Sequence, residues 1–214
     1  MTLLVNEIFY SIQGESLSAG IPCVFVRLTG CNLRCSYCDT PYAYDEGTKM
    51  AITEILKEVA AFRCPVVEIT GGEPLLQNNT PLLIQSLLED GYEVLLETNG
   101  SIDIGLVDDR CIKIVDIKCP TSGESHKNNL YNLNRLNAVD QIKFVIGDRE
   151  DFRYAQKIVK TIQSEFPRSH ILFSPVFGKM QPEKLARWIL DENMNVRLHL
   201  ALQKIIWPDQ PRGV

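Results

Sequence analysis

Three cysteines carry the first chemical signal in this chain. The run Gly30-Cys31-Asn32-Leu33-Arg34-Cys35-Ser36-Tyr37-Cys38-Asp39-Thr40 separates them by three and then two residues. A loop this short can gather three thiolates around one metal site, and iron–sulfur clusters are held by cysteine thiolates, normally four of them. With three, one iron of a 4Fe-4S cluster lacks a protein ligand and stays open to a small molecule. Zinc is the competing reading, but a structural zinc site wants four closed ligands and the usual two-pair spacing is absent. The other four cysteines, Cys23, Cys64, Cys111 and Cys119, stand among apolar residues, as buried small thiols do. An odd total of seven argues further against a disulfide framework.

Polar residues recur at the ends of apolar runs. Thr70-Gly71-Gly72-Glu73-Pro74 follows one such run; its glycines let backbone approach a ligand and its carboxylate can grip a cation. Glu97-Thr98-Asn99-Gly100, Asp116-Ile117-Lys118-Cys119-Pro120 and Ser174-Pro175-Val176 occupy the same place after later runs. Arg27 lies inside the first run, and arginine is the natural bidentate partner of a carboxylate.

These residues need a scaffold that brings strand ends together. Apolar, β-rich runs at Val24–Leu28, Val66–Thr70, Glu93–Thr98, Ile112–Ile117, Gln141–Ile146 and Ile171–Ser174 predict strands covered on both faces, with one more at Asn195–Leu202. Ile52, Ile55, Leu56, Val59 and Phe62 keep a helical spacing. A second helix is predicted from Thr80 as N-cap and Pro81 at the first turn to Gly91, and a third through Phe152–Phe166, stopping before Pro167. A fourth opens at Pro182, while Ser122–Asn137 gives little helical support. Strand–helix alternation repeated about six times predicts an α/β fold with a parallel sheet. At 214 residues the chain is short for a full eight-unit barrel of about 250 residues, so an incomplete, open parallel βα barrel is expected. Chemistry in such folds sits at the C-terminal strand ends, where these motifs fall.

No linker or repeat divides the chain, so residues 1–214 are read as a single domain. Hydrophobic residues at 45% and charged residues at 23% are the balance of a soluble globular protein, and a net charge of −5 gives no electrostatic reason for nucleic-acid or anionic-membrane binding. No apolar run approaches the roughly 20 residues of a membrane span, and Met1–Tyr10 lacks the order of a secretory signal. A cytoplasmic location is expected.

The cysteine spacing, Tyr37 before the last cysteine, and the Gly-Gly-Glu-Pro turn one βα unit later resemble the radical S-adenosylmethionine (SAM) superfamily. That resemblance implies that SAM binds the open iron through its amino and carboxylate groups. An electron passed to the sulfonium then yields a 5′-deoxyadenosyl radical, which abstracts hydrogen from substrate. Glu7-Ile8-Phe9-Tyr10-Ser11-Ile12-Gln13-Gly14-Glu15-Ser16, Arg27, Cys38-Asp39-Thr40, Asp116-Ile117-Lys118-Cys119-Pro120 and Lys204-Ile205-Ile206-Trp207-Pro208 narrow the match. Together they resemble the 7-carboxy-7-deazaguanine synthases along essentially the whole chain.

The resemblance implies a radical ring contraction of 6-carboxy-5,6,7,8-tetrahydropterin to 7-carboxy-7-deazaguanine and ammonia, on the route to queuosine in tRNA and related 7-deazapurines. Cys31, Cys35 and Cys38 would ligate the 4Fe-4S cluster, and Thr40 would hold magnesium together with the substrate carboxylate. Ile12, Gln13, Gly14, Glu15, Arg27, Thr70 and the carboxylate of Val214 would bind substrate. Tyr37, Cys38, Asp39, Gly72, Glu73, Asp116, Ile117, Lys118, Ser174, Pro175, Val176 and Phe177 would line the SAM site. A homodimer and a reducing partner such as flavodoxin or ferredoxin are implied as well. The tail departs from the family pattern: Gln203 stands where a histidine is usual, and His199 lies four residues earlier.

Two rival readings remain from the sequence. One is a radical SAM activase that acts on a partner protein and would not need Ile12-Gln13-Gly14 or Arg27. The other is a non-catalytic iron–sulfur or zinc regulator, which would not bind SAM.

Overall fold

The computed structural model describes residues 1–214. Strand β1 (Thr2–Ile12) pairs antiparallel with both β2 (Pro22–Leu28) and β3 (Thr48–Ala51). Then follow α1 (Ile52–Ala61), β4 (Val66–Gly71), α2 (Thr80–Glu89), β5 (Glu93–Thr98), β6 (Ile112–Ile117), β7 (Gln141–Ile146), α3 (Arg149–Val159), β8 (Ile171–Pro175), α4 (Pro182–Asp191), β9 (Arg197–Leu198) and α5 (Gln203–Ile206). The sheet runs β3-β1-β2-β4-β5-β6-β7-β8-β9, and all neighbours from β2 to β9 are parallel. It does not close, because β3 and β9 remain edges. This is an incomplete βα barrel, and no helix is long and apolar enough to cross a membrane.

The parallel strands read as apolar runs because helices cover one face and the barrel interior the other. Val67, Ile69, Leu83, Ile84, Leu87 and Leu95 join one core beneath α1 and α2. Phe144, Phe152, Ile158, Phe173 and Leu185 build a second beneath α3 and α4. Asp148 caps α3 by accepting from Asp151 N at 2.9 Å. Asp151 in turn accepts from Thr121 N and Gly147 N, which ties the turn after β7 to the one after β6.

Several sequence expectations are corrected. Strand β1 is absent from the apolar pattern because its register slips between Val5 and Glu7, which breaks the alternation. The run Asn195–Leu202 yields only the two residues of β9; beyond them His199 N donates to Phe173 O and the chain leaves the sheet. Helix α3 ends at Val159, although Ile162 and Phe166 stay buried in the turns that follow. Thr80 is inside α2 rather than its cap, and its hydroxyl donates to Pro74 O at 2.6 Å. Helix alternation lapses after β5 and β6, where short 3-10 turns, including those within Ser122–Asn137, replace α-helices.

Candidate active site

The C-terminal ends of β4 to β8, the turn after β1 and the tail enclose one cavity of about 440 Å³. Of the residues expected from the sequence, Ile12, Gln13, Gly14, Glu15, Arg27, Thr70 and Val214 line it, as do Cys31, Cys35, Cys38 and Thr40. Tyr37, Asp39, Gly72, Asp116, Lys118, Ser174, Pro175, Val176 and Phe177 line it too. Glu73 and Ile117 do not. Ile117 is core. Glu73 is buried beneath the floor, where Leu75 N, Asn99 N and the Thr98 hydroxyl donate to its carboxylate. Its part is to clamp the ends of β4 and β5 together.

The cysteine loop is held from several sides. Ser36 donates through its N–H to Ser122 O at 3.0 Å and through its hydroxyl to Thr121 O at 2.7 Å. The Arg34 guanidinium stacks over Tyr44 at 4.1 Å and donates to Cys31 O. Gly71, at φ 150, and Gly72 let β4 pass directly under this loop. A Cβ at Gly72 would lie 2.7 Å from Cys31 Cβ and nearer still to Gly30 O. Leu33 N and the Asn99 amide approach Cys31 Sγ at 3.4 and 3.9 Å. Burial pushes the Cys35 thiol up to about 11 and also raises Cys31, while Lys118 opposes both. The thiols are free, and no three His, Cys, Asp or Glu groups converge at ligating range.

Beneath lies a charged floor that joins residues of the strand-end motifs to charges from inside the strands. Lys143 from β7 is 4% exposed and contacts Glu15 at 2.7 Å, Asp116 at 3.5 Å, and Glu97. Lys118 donates to Asp116 at 2.9 Å. Burial would raise the Glu15 carboxyl, but the Lys143 ammonium overrides it and holds the group at about 2. Burial wins at Glu97 and Glu68, which stay above the ordinary range. Glu97 stood in a strand-end motif, whereas Glu68 and Lys143 were legible only as single charges inside otherwise apolar strands, which are costly unless paired or functional.

The tail closes the other side. Leu202 N donates to Gly14 O, Gln203 Nε2 donates to Glu15 at 2.8 Å, and Lys204 pairs with Asp39 at 3.0 Å. Gln203 Oε1 and both ring nitrogens of His199 are buried without partners.

Residues 25–121 match the family model for the radical SAM superfamily. A 7-carboxy-7-deazaguanine synthase of Koribacter versatilis is 42% identical over 98% of this chain and 99% of its own. One of Chlorobaculum tepidum is 45% identical, over 99% and 97%. The chain belongs to the 7-carboxy-7-deazaguanine synthase family. Its fold matches the crystal structure of QueE from Escherichia coli with a TM-score of 0.77, over 94% of each chain at 22% identity.

Membership in this radical SAM family implies a 4Fe-4S cluster, SAM, a small-molecule substrate and a source of electrons. The residues fit. Three thiols of one loop open onto the cavity, while Cys23, Cys64, Cys111 and Cys119 are buried in the cores and cannot supply a fourth ligand. Tyr37 Oη and Asp116 Oδ1 are buried there without partners, which suits a polar ligand beside the loop.

Proposed function

We propose that the protein converts 6-carboxy-5,6,7,8-tetrahydropterin to 7-carboxy-7-deazaguanine and ammonia, on the route to queuosine and other 7-deazapurines. The observation that carries this reading is that the three cysteines and the set Gln13, Arg27 and Thr70 open onto one cavity. When bound, the cluster and SAM would supply the one-electron chemistry that removes a hydrogen from C6 of the pterin and restores it to the rearranged product.

The chain's own residues bind and orient. Glu7 accepts from Arg27 Nε at 2.8 Å, which leaves the terminal guanidinium nitrogens for the substrate carboxylate. The Thr40 hydroxyl, 3.9 Å from Cys38 Sγ, joins that carboxylate in holding magnesium. Thr70 and the backbone of residues 12–14 flank the ring. Tyr37, Asp39, Gly72, Asp116, Lys118 and the turn 174–177 receive SAM, with Glu73 and Ile117 acting through the backbone they fix. The Val214 carboxylate completes the substrate side. The same reading includes one radical SAM domain over residues 1–214, a homodimer, a cytoplasmic location and electrons from flavodoxin or ferredoxin.

The test is an anaerobic assay of reconstituted protein with SAM, dithionite, magnesium and the carboxytetrahydropterin. The expected result is the deazaguanine acid, abolished in Cys35→Ala, with magnesium dependence weakened in Thr40→Ala. SAM cleavage with the pterin untouched would leave the superfamily standing and sink the substrate assignment.

A further inference from the structure

Glu68 sits in the middle of β4, two residues below Thr70 and level with Phe25 of β2. It is 3% exposed, and its side chain opens onto the cavity floor. Gln13 Nε2 donates to its Oε2, and Gln13 Oε1 accepts from Glu15 N at 2.9 Å, so both ends of the Gln13 amide are anchored. The other oxygen of Glu68 has no protein partner. Glu15, Glu97 and Asp116 share the Lys143 ammonium, but no lysine or arginine stands within ion-pair range of Glu68. The groups that face it are Glu15 after β1, Cys23 and Arg27 on β2, Glu97 on β5, Cys111 before β6, and Lys143 on β7.

A carboxyl this buried, with no cation in ion-pair range, is costly to ionise by itself. The cost is recovered when a ligand brings donors to it. Arg27 gives the same cavity a donor for an anionic group, so the site offers a cation on one strand and an acceptor on the next. A matching ligand carries a carboxylate at one end and adjacent N–H groups at the other. The N3–H and 2-amino group of a 2-amino-4-oxopyrimidine form such an edge.

We propose that Glu68 is a specificity residue that receives this donor edge and selects the 2-amino ring over its 2-oxo counterpart. The inference rests on the pterin reading and adds the residue that reads the ring. In the free protein, burial and the neighbouring carboxylates Glu97 and Glu15 push the Glu68 carboxyl well above the ordinary carboxylate range. Two N–H donors favour its ionised form, so binding draws the carboxyl down again and releases proton to solvent. Beside ionised Glu68 a 2-oxo ring sets an acceptor against an acceptor and keeps only N3–H as a donor, so it can pair with Glu68 only by leaving the carboxyl protonated.

The experiment is anaerobic titration calorimetry on the full chain loaded with cluster and SAM, using 6-carboxypterin and 6-carboxylumazine as probes. The wild type is expected to prefer the pterin by about tenfold or more, the worth of a charge-assisted hydrogen bond. Heats in two buffers of different ionisation enthalpy should show a proton released with the pterin and none with the lumazine. In Glu68→Gln, which keeps shape and can still meet Gln13, the preference should fall to about threefold or less, or reverse, with proton release lost. An unchanged preference in the folded variant overturns the proposal. Should the variant fail to fold, equal affinities or absent proton release in the wild type overturn it instead. If neither ring binds, the pterin reading itself falls, and that failure is distinct from two rings bound alike.

Discussion

Lys143 shows how one side chain sets the chemistry of its neighbours. It is the shared cation of Glu15, Glu97 and Asp116, and its ammonium keeps Glu15 ionised although burial outweighs it at Glu97. Removing one partner of a buried ion pair costs about 3–5 kcal/mol, because charge is left without a counterion. Lys143→Met should therefore lower the melting temperature by roughly 10 °C and raise the carboxyl of Glu15 toward neutral pH. Thermal melts of the apoprotein check the first effect, and the acid limb of a stability–pH curve checks the second. A Lys143→Met variant as stable as the wild type would mean that the carboxylates already share protons among themselves.

At the scale of elements, the tail and the Gly-Gly turn each hold the site by close approach. Arg212 pairs with Glu46 at 2.7 Å and stacks over Tyr42 at 4.1 Å, which brings Val214 to the cavity. Residues 211–213 are exposed, so deleting 211–214 should change stability by no more than about 0.5 kcal/mol. The same deletion should raise the KM for the pterin about tenfold, a loss of roughly 1.4 kcal/mol of ground-state binding, with a smaller effect on kcat. Steady-state kinetics beside a melt separate the two. Gly72→Ala should instead displace the cysteine loop, and iron content per chain after reconstitution should fall while secondary structure by circular dichroism is kept. The β5, β6 and β7 boundaries were legible to the residue, because buried parallel strands announce themselves as apolar runs between breakers. Strand β1 was not, since its bulge scrambles the alternation, and β9 was overestimated because pairing with β8 lasts two residues. The cysteine loop, Arg27 and Thr70 were legible from type and spacing. Glu97 was legible as part of a polar strand end, but Glu68 and Lys143 were not, because their meaning lies in which strands become neighbours, and a linear run does not carry that.

The molecule as a whole carries the consequences in its response to pH. Glu15 is held at about 2 against an ordinary 4.5, so its contribution is present above about 4.5 and lost as pH falls toward 2. Glu68, Glu73 and Glu97 are shifted the other way, with burial as the leading cause. Their folded forms hold protons that the unfolded chain has already released, so their contribution is present below the ordinary carboxyl range and lost as pH rises through the folded values. The free protein should therefore melt highest in mild acid, near about pH 5, and lower near about pH 8. Glu68→Gln removes the carboxyl with no cation beside it, so its curve should be flatter and lie about 2–4 °C above the wild type near about pH 8, equivalent to roughly 1 kcal/mol. Saturating 6-carboxypterin should close that gap, since a ligand that binds only the folded wild-type site stabilises it by mass action. Wild-type and variant curves that superimpose at every pH would place a counterion or a shared proton on Glu68 in the free protein, and with it would go the reason for a bare acceptor on the cavity floor.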